Sequence, residues 1–503
     1  MLQKNVLEYL ENSAKNYPDK IAFTDDTGSI TFSELLSLAK AIGTKISNNT
    51  EKTSRPVCVI AGRNFKCIAA FMGVLYSGNF YVPIDPDMPK SRLENIIETL
   101  KPEFILHLEN ETPANIAEYN FCLSYSENEN VIDESLLCER RKNTLDIDPV
   151  YVIFTSGSTG IPKGIVISHR SVIDFIEWMA DAIGYTSDDI FANQAPFYFD
   201  CSVKDLYLTL KLGACNHIIP KKLFMFPPLL IDFISERRVT SLAWATSGFN
   251  LVSSSKILEK KVPSCINKVA VGGEAMLAKH LNNWKRALPD AKFINLYGPT
   301  EVTVDCTYFI VDGEYKDCEP IPIGKACGNK QVLLLDENLS AVPDGTPGEI
   351  CVRGIGLARG YYGDKEKTAL SFVQNPNAAY TDLIYKTGDI GIKDKNGDIV
   401  FQSRKDGQIK HLGYRIELGE IERGICSIDK ISCAICFFDK EKDRIVCVYE
   451  GGISKPDIVK EAVKILPKYM IPNIYINTPK MPYNANGKID RTLLRRNYDE
   501  ENK

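Results

Sequence analysis

Through roughly the first four hundred residues, short runs of β-branched and other apolar residues alternate with longer stretches whose apolar positions follow a helical period. RPVCVIAG (55–62), YVIFTSG (151–157), SLAWATS (241–247), KVAVGGE (268–274) and KFINLYGP (292–299) each read as a buried strand running into Gly or Ser. Between them, SVIDFIEWMADAI (171–183) and LLIDFISERR (229–238) read as helices. Such alternation predicts α/β layering with largely parallel sheets. In open sheets of this kind ligands bind beyond the carboxyl ends of the strands, where the Gly/Ser/Thr-rich turns of this chain fall.

The pattern changes after about residue 340. Residues 331–354 read as strand, turn and strand around VPDGTPG, and 393–413 contain two hairpin signals, KNGD and KDGQ. A compact unit follows: a helix over ELGEIERGICSI, strands over ISCAICFFD and DRIVCVYEG, and a helix over PDIVKEAVKIL. The expected architecture is α/β. A large N-terminal domain, 1–404, has layered, mostly parallel sheets with helices and a small β-barrel-like part; a small α+β domain, 405–503, follows. No internal repeat is visible.

Composition narrows the function. At 503 residues the chain exceeds what one core supports. A net charge of -5 offers no basic field for a nucleic-acid backbone. The longest apolar run, near Ile68–Tyr76, is too short to span a bilayer, and the N-terminus lacks the layout of a signal peptide. These features predict a cytoplasmic protein without membrane insertion. The 15 cysteines are scattered, many inside apolar runs (Cys58, Cys351, Cys447), as small buried hydrophobes would be. Cys433 and Cys436 stand three apart on a strand-like run, facing opposite sides, so a shared metal is not expected.

Chemistry concentrates in Tyr151–Arg170. A hydrophobic strand runs into Thr155, Ser156, Gly157, Ser158, Thr159 and Gly160, then Pro162, Lys163 and Gly164. Backbone N–H groups freed by glycine, hydroxyl donors and a lysine suit a polyphosphate, although the spacing is not that of a Walker A loop. Further on, Asp200 lies just before the helical run SVKDLYLTLKL, where it would serve as a helix cap.

TSGSTGIPKG resembles the phosphate loop of the adenylate-forming superfamily, which includes acyl-CoA synthetases, luciferases and the adenylation domains of nonribosomal peptide synthetases. YVPIDP (81–86), FDCS (199–202), NLYGPTE (295–301), GEICVRGIGLARGYY (348–362), YKTGD (385–389), RKDGQIKHLGYRIELGEIE (404–422) and NANGKIDR (484–491) follow in order. All resemble the amino-acid-activating branch, which also includes D-alanine–carrier protein ligases. Ser403 departs from the pattern, where the family usually has Gly.

The resemblance implies an ATP- and Mg²⁺-dependent enzyme that adenylates an amino acid and transfers it to a phosphopantetheine thiol. The nucleotide would be held by Thr155, Ser156, Gly157, Ser158, Thr159 and Lys163, by Gly273, Glu274, Asn295, Tyr297 and Gly298, by Thr300 at the α-phosphate, and by Asp389 and Arg404 at the ribose. Glu301 would ligate Mg²⁺. Lys488, near the C-terminus, would offset charge in the adenylation transition state. Asp406, beside Gly407, would be the hinge about which a mobile C-terminal domain turns before thioester formation, with Gly413 and Tyr414 lining the pantetheine tunnel. Asp200 would pair with the substrate's α-ammonium group. The side-chain pocket would be lined by Cys201, Lys204, Ala243, Ala270, Gly272, Leu296, Val304 and Asp305.

Lys204 would either select an acidic substrate or pair with Asp200 one helical turn away. Gly272 stands where D-alanine ligases tend to carry Cys. Because the sequence stops shortly after Arg491, the carrier protein is expected to act in trans. A small-acid acyl-CoA ligase is the alternative reading, against which Asp200 speaks.

Overall fold

The computed structural model describes every residue except 1–2, 110–112, 114, 117–118, 127, 158–161, 318, 406–407, 483–488 and 503. The chain divides into two units. The first comprises Met1–Pro86, Leu100–Ile153 and Gly164–Lys405; the second comprises Asp87–Thr99, Phe154–Lys163 and Asp406–Lys503. Among the described residues no helix is long and apolar enough to cross a membrane.

In the first unit, the largest sheet has nine strands among the described residues. In spatial order, its parallel core runs Lys292–Tyr297, Lys268–Gly272, Ser241–Ala245, Ile190–Asn193, Cys215–Ile218 and Ile21–Thr24. Register decides which residues share a face. Ala243 lies beside Ala270 and Ala270 beside Ile294; Ala245 lies beside Gly272 and Gly272 beside Leu296. Side chains two apart on a strand point the same way. Ala243, Ala270, Ile294 and Leu296 accordingly enter one hydrophobic core, and Leu242, Trp244, Val269, Val271 and Phe293 enter another. Helix Val203–Leu212 packs into the first of these cores through Val203, Leu206, Tyr207 and Leu210. The face with the smallest residues therefore meets the helix that follows Asp200.

A second sheet runs Cys122–Tyr125, Phe104–Leu108, Pro56–Ile60, Phe80–Ile84, Pro149–Thr155 and Lys163–Ser168. Helix His169–Ile183 follows directly, capped by the Ser168 side chain and closed by Gly184 in the left-handed region (φ 81°). The barrel-like part expected from the sequence is an antiparallel sheet of Lys330–Leu335, Gly348–Gly354, Phe372–Gln374, Leu383–Lys393 and Ile399–Arg404.

The second unit carries a sheet of Ile431–Asp439, Arg444–Gly451 and Ile474–Asn477, against which helices Leu418–Cys426 and Lys455–Ile465 pack. Residues 87–99 and 154–163 belong to this unit through polar contacts. Arg92 pairs with buried Glu420, Ser156 Oγ donates to the Arg415 carbonyl at 2.6 Å, and Arg423 donates to the Gly157 carbonyl at 3.4 Å. The second hairpin signal, KDGQ, is corrected here. Ile399–Arg404 pairs with Leu383–Lys393, whereas Gln408–His411 pairs with Tyr414–Glu417. The turn falls at Leu412 (φ 54°) and Gly413 (φ 84°), and positive φ at both central residues suits the twist of a two-residue hairpin.

A buried polar network fixes helix Val203–Leu212. Asn193 Nδ2 donates to both Asp205 carboxylate oxygens at 3.2 Å, Asn216 donates to Thr209, and Asn193 N donates to Asn216 Oδ1. Burial pushes the Asp205 carboxyl up to about 7, against the Asn193 bonds and the nearby Lys204 charge that favour ionisation. The native state keeps this proton up to about pH 7, while an unfolded chain releases it near 3.8. Between those values the native state binds more protons, so this group lowers stability as the pH rises. Asp205→Asn is expected to flatten that component: urea midpoints of wild type and variant should converge near pH 4, with the variant gaining relative to wild type toward pH 8. A constant difference across that range would contradict the assignment.

Candidate active site

The site in the first unit is organised by the segment 298–306, which turns the chain from parallel strand Lys292–Tyr297 into its antiparallel partner Thr307–Ile310. The reversal is tight. Cys306 N donates to the Tyr297 carbonyl at 2.7 Å, and a Cβ on Gly298 would stand 2.5 Å from both Asp305 Cα and the Val304 carbonyl oxygen. After a short 3-10 turn over Thr300–Val302, Thr303 (φ 62°) and Val304 (φ 65°) both lie in the left-handed region, which β-branched residues rarely occupy.

At one end of this segment, the buried Tyr297 hydroxyl donates to Asp389 Oδ2 at 2.5 Å. Asp389 is also paired with Arg404, its direct cross-strand neighbour. Burial, then the Asp389 charge, pushes the Tyr297 phenol well above its ordinary range. Gly273 has φ 105° and no atom within 4 Å of where a Cβ would stand, so the backbone beside Glu274 faces open space. Thr246 holds that turn, donating to the Gly272 and Glu274 carbonyls at 3.2 and 3.1 Å. Thr300 is buried. Asn295 faces away from Leu296 and donates to the Pro322 carbonyl at 2.8 Å. Glu301 is fully buried, with Tyr361 donating to its Oε1 at 3.0 Å. A buried carboxylate is a hard oxygen ligand of the kind Mg²⁺ takes alongside phosphate oxygens and water, so this residue fits the ion.

At the other end, Lys204 and Asp305 form an ion pair at 3.7 Å with side chains 1% and 3% exposed. Asp305 Oδ2 accepts no hydrogen bond among the described residues. Burial works against the Lys204 charge, but Cys201, Asp305 and Asp200 together hold its ammonium above the ordinary lysine range. Burial pushes the Cys201 thiol up to about 11. Among the described residues the ion pair of Lys204 is with Asp305, while Asp200 acts on its charge. Asp200–Ser202 is a 3-10 turn and the α-helix begins only at Val203, so the one-turn spacing of an α-helix does not apply. Nor does a side chain cap that helix. Asp200 is half-buried, and after burial itself its charge raises the neighbouring Tyr151 phenol. Ala243, Ala270, Gly272 and Leu296 are buried on the face described above, and Val304 is buried within the reversal. A Cβ on Gly272 would stand 3.1 Å from Asp305 Oδ1, so a larger residue there would press on the ion pair.

In the second unit, Lys163 is buried at the start of its strand, the Thr155 hydroxyl is buried, and Ser156 and Gly157 make the contacts already given. Ser158, Thr159, Asp406 and Lys488 lie outside the described residues. Sequence reasoning missed Thr246 and Tyr361. Tyr361 lies within the quoted GYY motif; Thr246 carries no signal beyond the end of an apolar strand.

The AMP-binding enzyme family model matches residues 10–362. Tyrocidine synthase 3 of Brevibacillus parabrevis is 32% identical over 97% of this chain and 8% of its own length. Zwittermicin A synthase ZmaJ of Bacillus cereus is 31% identical over 97% of this chain and 94% of its own. The chain spans only 14% to 45% of several other curated relatives. Holo-PA1221, a nonribosomal peptide synthetase protein with adenylation and PCP domains bound to a vinylsulfonamide inhibitor, superposes with a TM-score of 0.81. It is 25% identical over 98% of this chain and 84% of its own. The family match covers most of the chain, and the chain belongs to the AMP-binding enzyme family. Within it, the chain is an adenylation domain of the nonribosomal peptide synthetase type.

Removing one partner of a buried ion pair leaves the other charge uncompensated, whereas replacing both with apolar groups does not. Lys204→Met is therefore expected to cost about 3 kcal/mol or more in urea unfolding, and the double variant Lys204→Met/Asp305→Leu to recover most of it. Additive losses in the double variant would show that the two side chains are not coupled.

Proposed function

We propose that the protein converts an amino acid and ATP into an aminoacyl-adenylate and pyrophosphate, then transfers the aminoacyl group to the phosphopantetheine thiol of a separate carrier protein. The carrying observation is the half-buried Asp200 carboxylate at the start of the helix packed on the small-residue face of Ala243, Ala270 and Gly272. A carboxylate there suits an α-ammonium group, and a charge-assisted contact so placed contributes more than an exposed one. Acetate- or benzoate-type acids offer it no partner.

In the first step a substrate carboxylate oxygen attacks the α-phosphorus of ATP, and the bond to pyrophosphate breaks. Tyr297, Asp389 and Arg404 would position the adenosine; Thr300 would meet the α-phosphate. The loop residues 155–159 and Lys163 would hold the polyphosphate, and Glu301 would hold Mg²⁺, which supplies charge neutralisation when bound. Lys488 would stabilise the negative charge that builds between nucleophile and leaving group. In the second step the carrier thiolate attacks the acyl carbon and AMP leaves, after a backbone change at Asp406. The carrier is supported by the adenylation–PCP architecture of PA1221.

The pocket's two charges offset each other. With Lys204 committed to Asp305, an acidic substrate side chain would have to break a dry ion pair, so an uncharged side chain is the better fit.

ATP–pyrophosphate exchange over a panel of amino acids, with acetate, benzoate and D-alanine included, tests this reading. Exchange should require an amino acid, fall to background in Asp200→Ala and drop by roughly 10²–10³-fold in Lys488→Ala. Asp406→Pro should keep exchange while losing acyl transfer to an added holo-carrier. Exchange supported by acetate or benzoate but by no amino acid would replace this reading with that of an acyl-CoA ligase.

A further inference from the structure

The turn that presents Val304 and Asp305 is held by a buried cation. Asp305 N donates to the Thr303 carbonyl at 2.9 Å around Val304 at φ 65°, which is the rare, strained positive-φ form of the γ-turn. Such a conformation persists only where its surroundings over-determine it. Gly298 packs against it from one side. From the other, Lys330 Nζ donates to the Asp305 carbonyl at 2.6 Å and lies 3.4 Å from the Thr303 carbonyl. Thr303 Oγ1 adds a 2.8 Å bond to the Gly356 carbonyl.

Lys330 is 7% exposed, and its ammonium sits 4.9 Å from the Phe175 ring centroid. Among the described residues no carboxylate stands within ion-pair distance of it. An ammonium taken out of water without a counter-ion is costly, and its compensation here is the two turn carbonyls and one aromatic face. Lysine at the start of a strand, Lys330–Leu335, would ordinarily point to solvent. Its stem is instead enclosed closely enough that a Cβ on Gly356 would stand 2.1 Å from Lys330 Cε.

We propose that Lys330 is a positioning residue of the amino-acid pocket: its ammonium fixes the strained Thr303–Asp305 turn and so keeps the Asp305 carboxylate opposite Lys204. Without that donor the two carbonyls lose their shared partner, the turn relaxes, and the carboxylate moves relative to the pocket. The nucleotide-side groups Tyr297, Asp389 and Arg404 hold one another through separate bonds and should be less affected. The kinetic part of this inference rests on the proposed amino-acid adenylation.

The test uses the full chain and Lys330→Met, which keeps the stem and removes the charge. Gly356→Ala is the second variant, displacing the ammonium without deleting it. In pyrophosphate exchange with the best amino acid of the wild-type panel, both variants should raise the amino-acid KM by roughly tenfold to a hundredfold while the ATP KM changes far less. Equal rises in both KM values, or a lower melting temperature with an unchanged amino-acid KM, would overturn the proposal. A second arm needs no substrate. In the Lys330→Met background, the stability lost on Lys204→Met should shrink by about half or more, because Asp305 is no longer held against the lysine. Equal losses in the two backgrounds overturn the proposal even if no amino acid is activated, which separates its failure from that of the adenylation reading.

Discussion

A parallel strand must hand over to an antiparallel one between Tyr297 and Thr307, and the segment that does so has room for neither a side chain at position 298 nor an ordinary backbone at 303 and 304. Tyr297 before the reversal, Glu301 within it and Asp305 at its end are spaced by this one piece of backbone. Each is then fixed by a different partner: Asp389, Tyr361 and Lys204. Fixed mutual geometry is what a functional constellation needs, and here it is built into a single connection rather than assembled from distant loops.

The alternation of small and large residues on two neighbouring strands gives their two faces different depths. Ala243, Ala270 and Gly272 keep one face shallow near the strand ends, while Trp244, Val269 and Val271 fill the other. Helix Val203–Leu212 closes the shallow face and brings a lysine into it; Asp305 arrives from the reversal to neutralise that lysine. Burying two opposite charges so deeply contributes little net stability. It does set a polar, electroneutral wall whose spacing depends on backbone geometry.

Much of this was legible in the sequence, and for physical reasons. Buried parallel strands leave continuous apolar runs, so the strands at 241–245, 268–272 and 292–297 stand out. Glycine-rich turns at their ends mark close backbone approach. Less legible were features that depend on exact backbone class. The 3-10 turn over Asp200–Ser202, ahead of the α-helix from Val203, is one of these. KDGQ has hairpin chemistry, yet the flanking strands join different sheets, and Leu412–Gly413 turns the chain instead. The role of Lys330 was invisible, since a cation paired with main-chain carbonyls leaves no complementary charge in the sequence.

The central claim is that one tightly packed reversal sets both halves of the site, and Gly298→Ala tests it most directly. Its Cβ would meet Asp305 Cα and the Val304 carbonyl at 2.5 Å, so the segment 298–306 must shift as a whole. Measured on the folded variant by titration calorimetry for AMP and by exchange kinetics for the amino acid, both affinities should fall together, each by roughly tenfold or more. A folded Gly298→Ala protein that binds AMP and amino acid as wild type does would contradict the account.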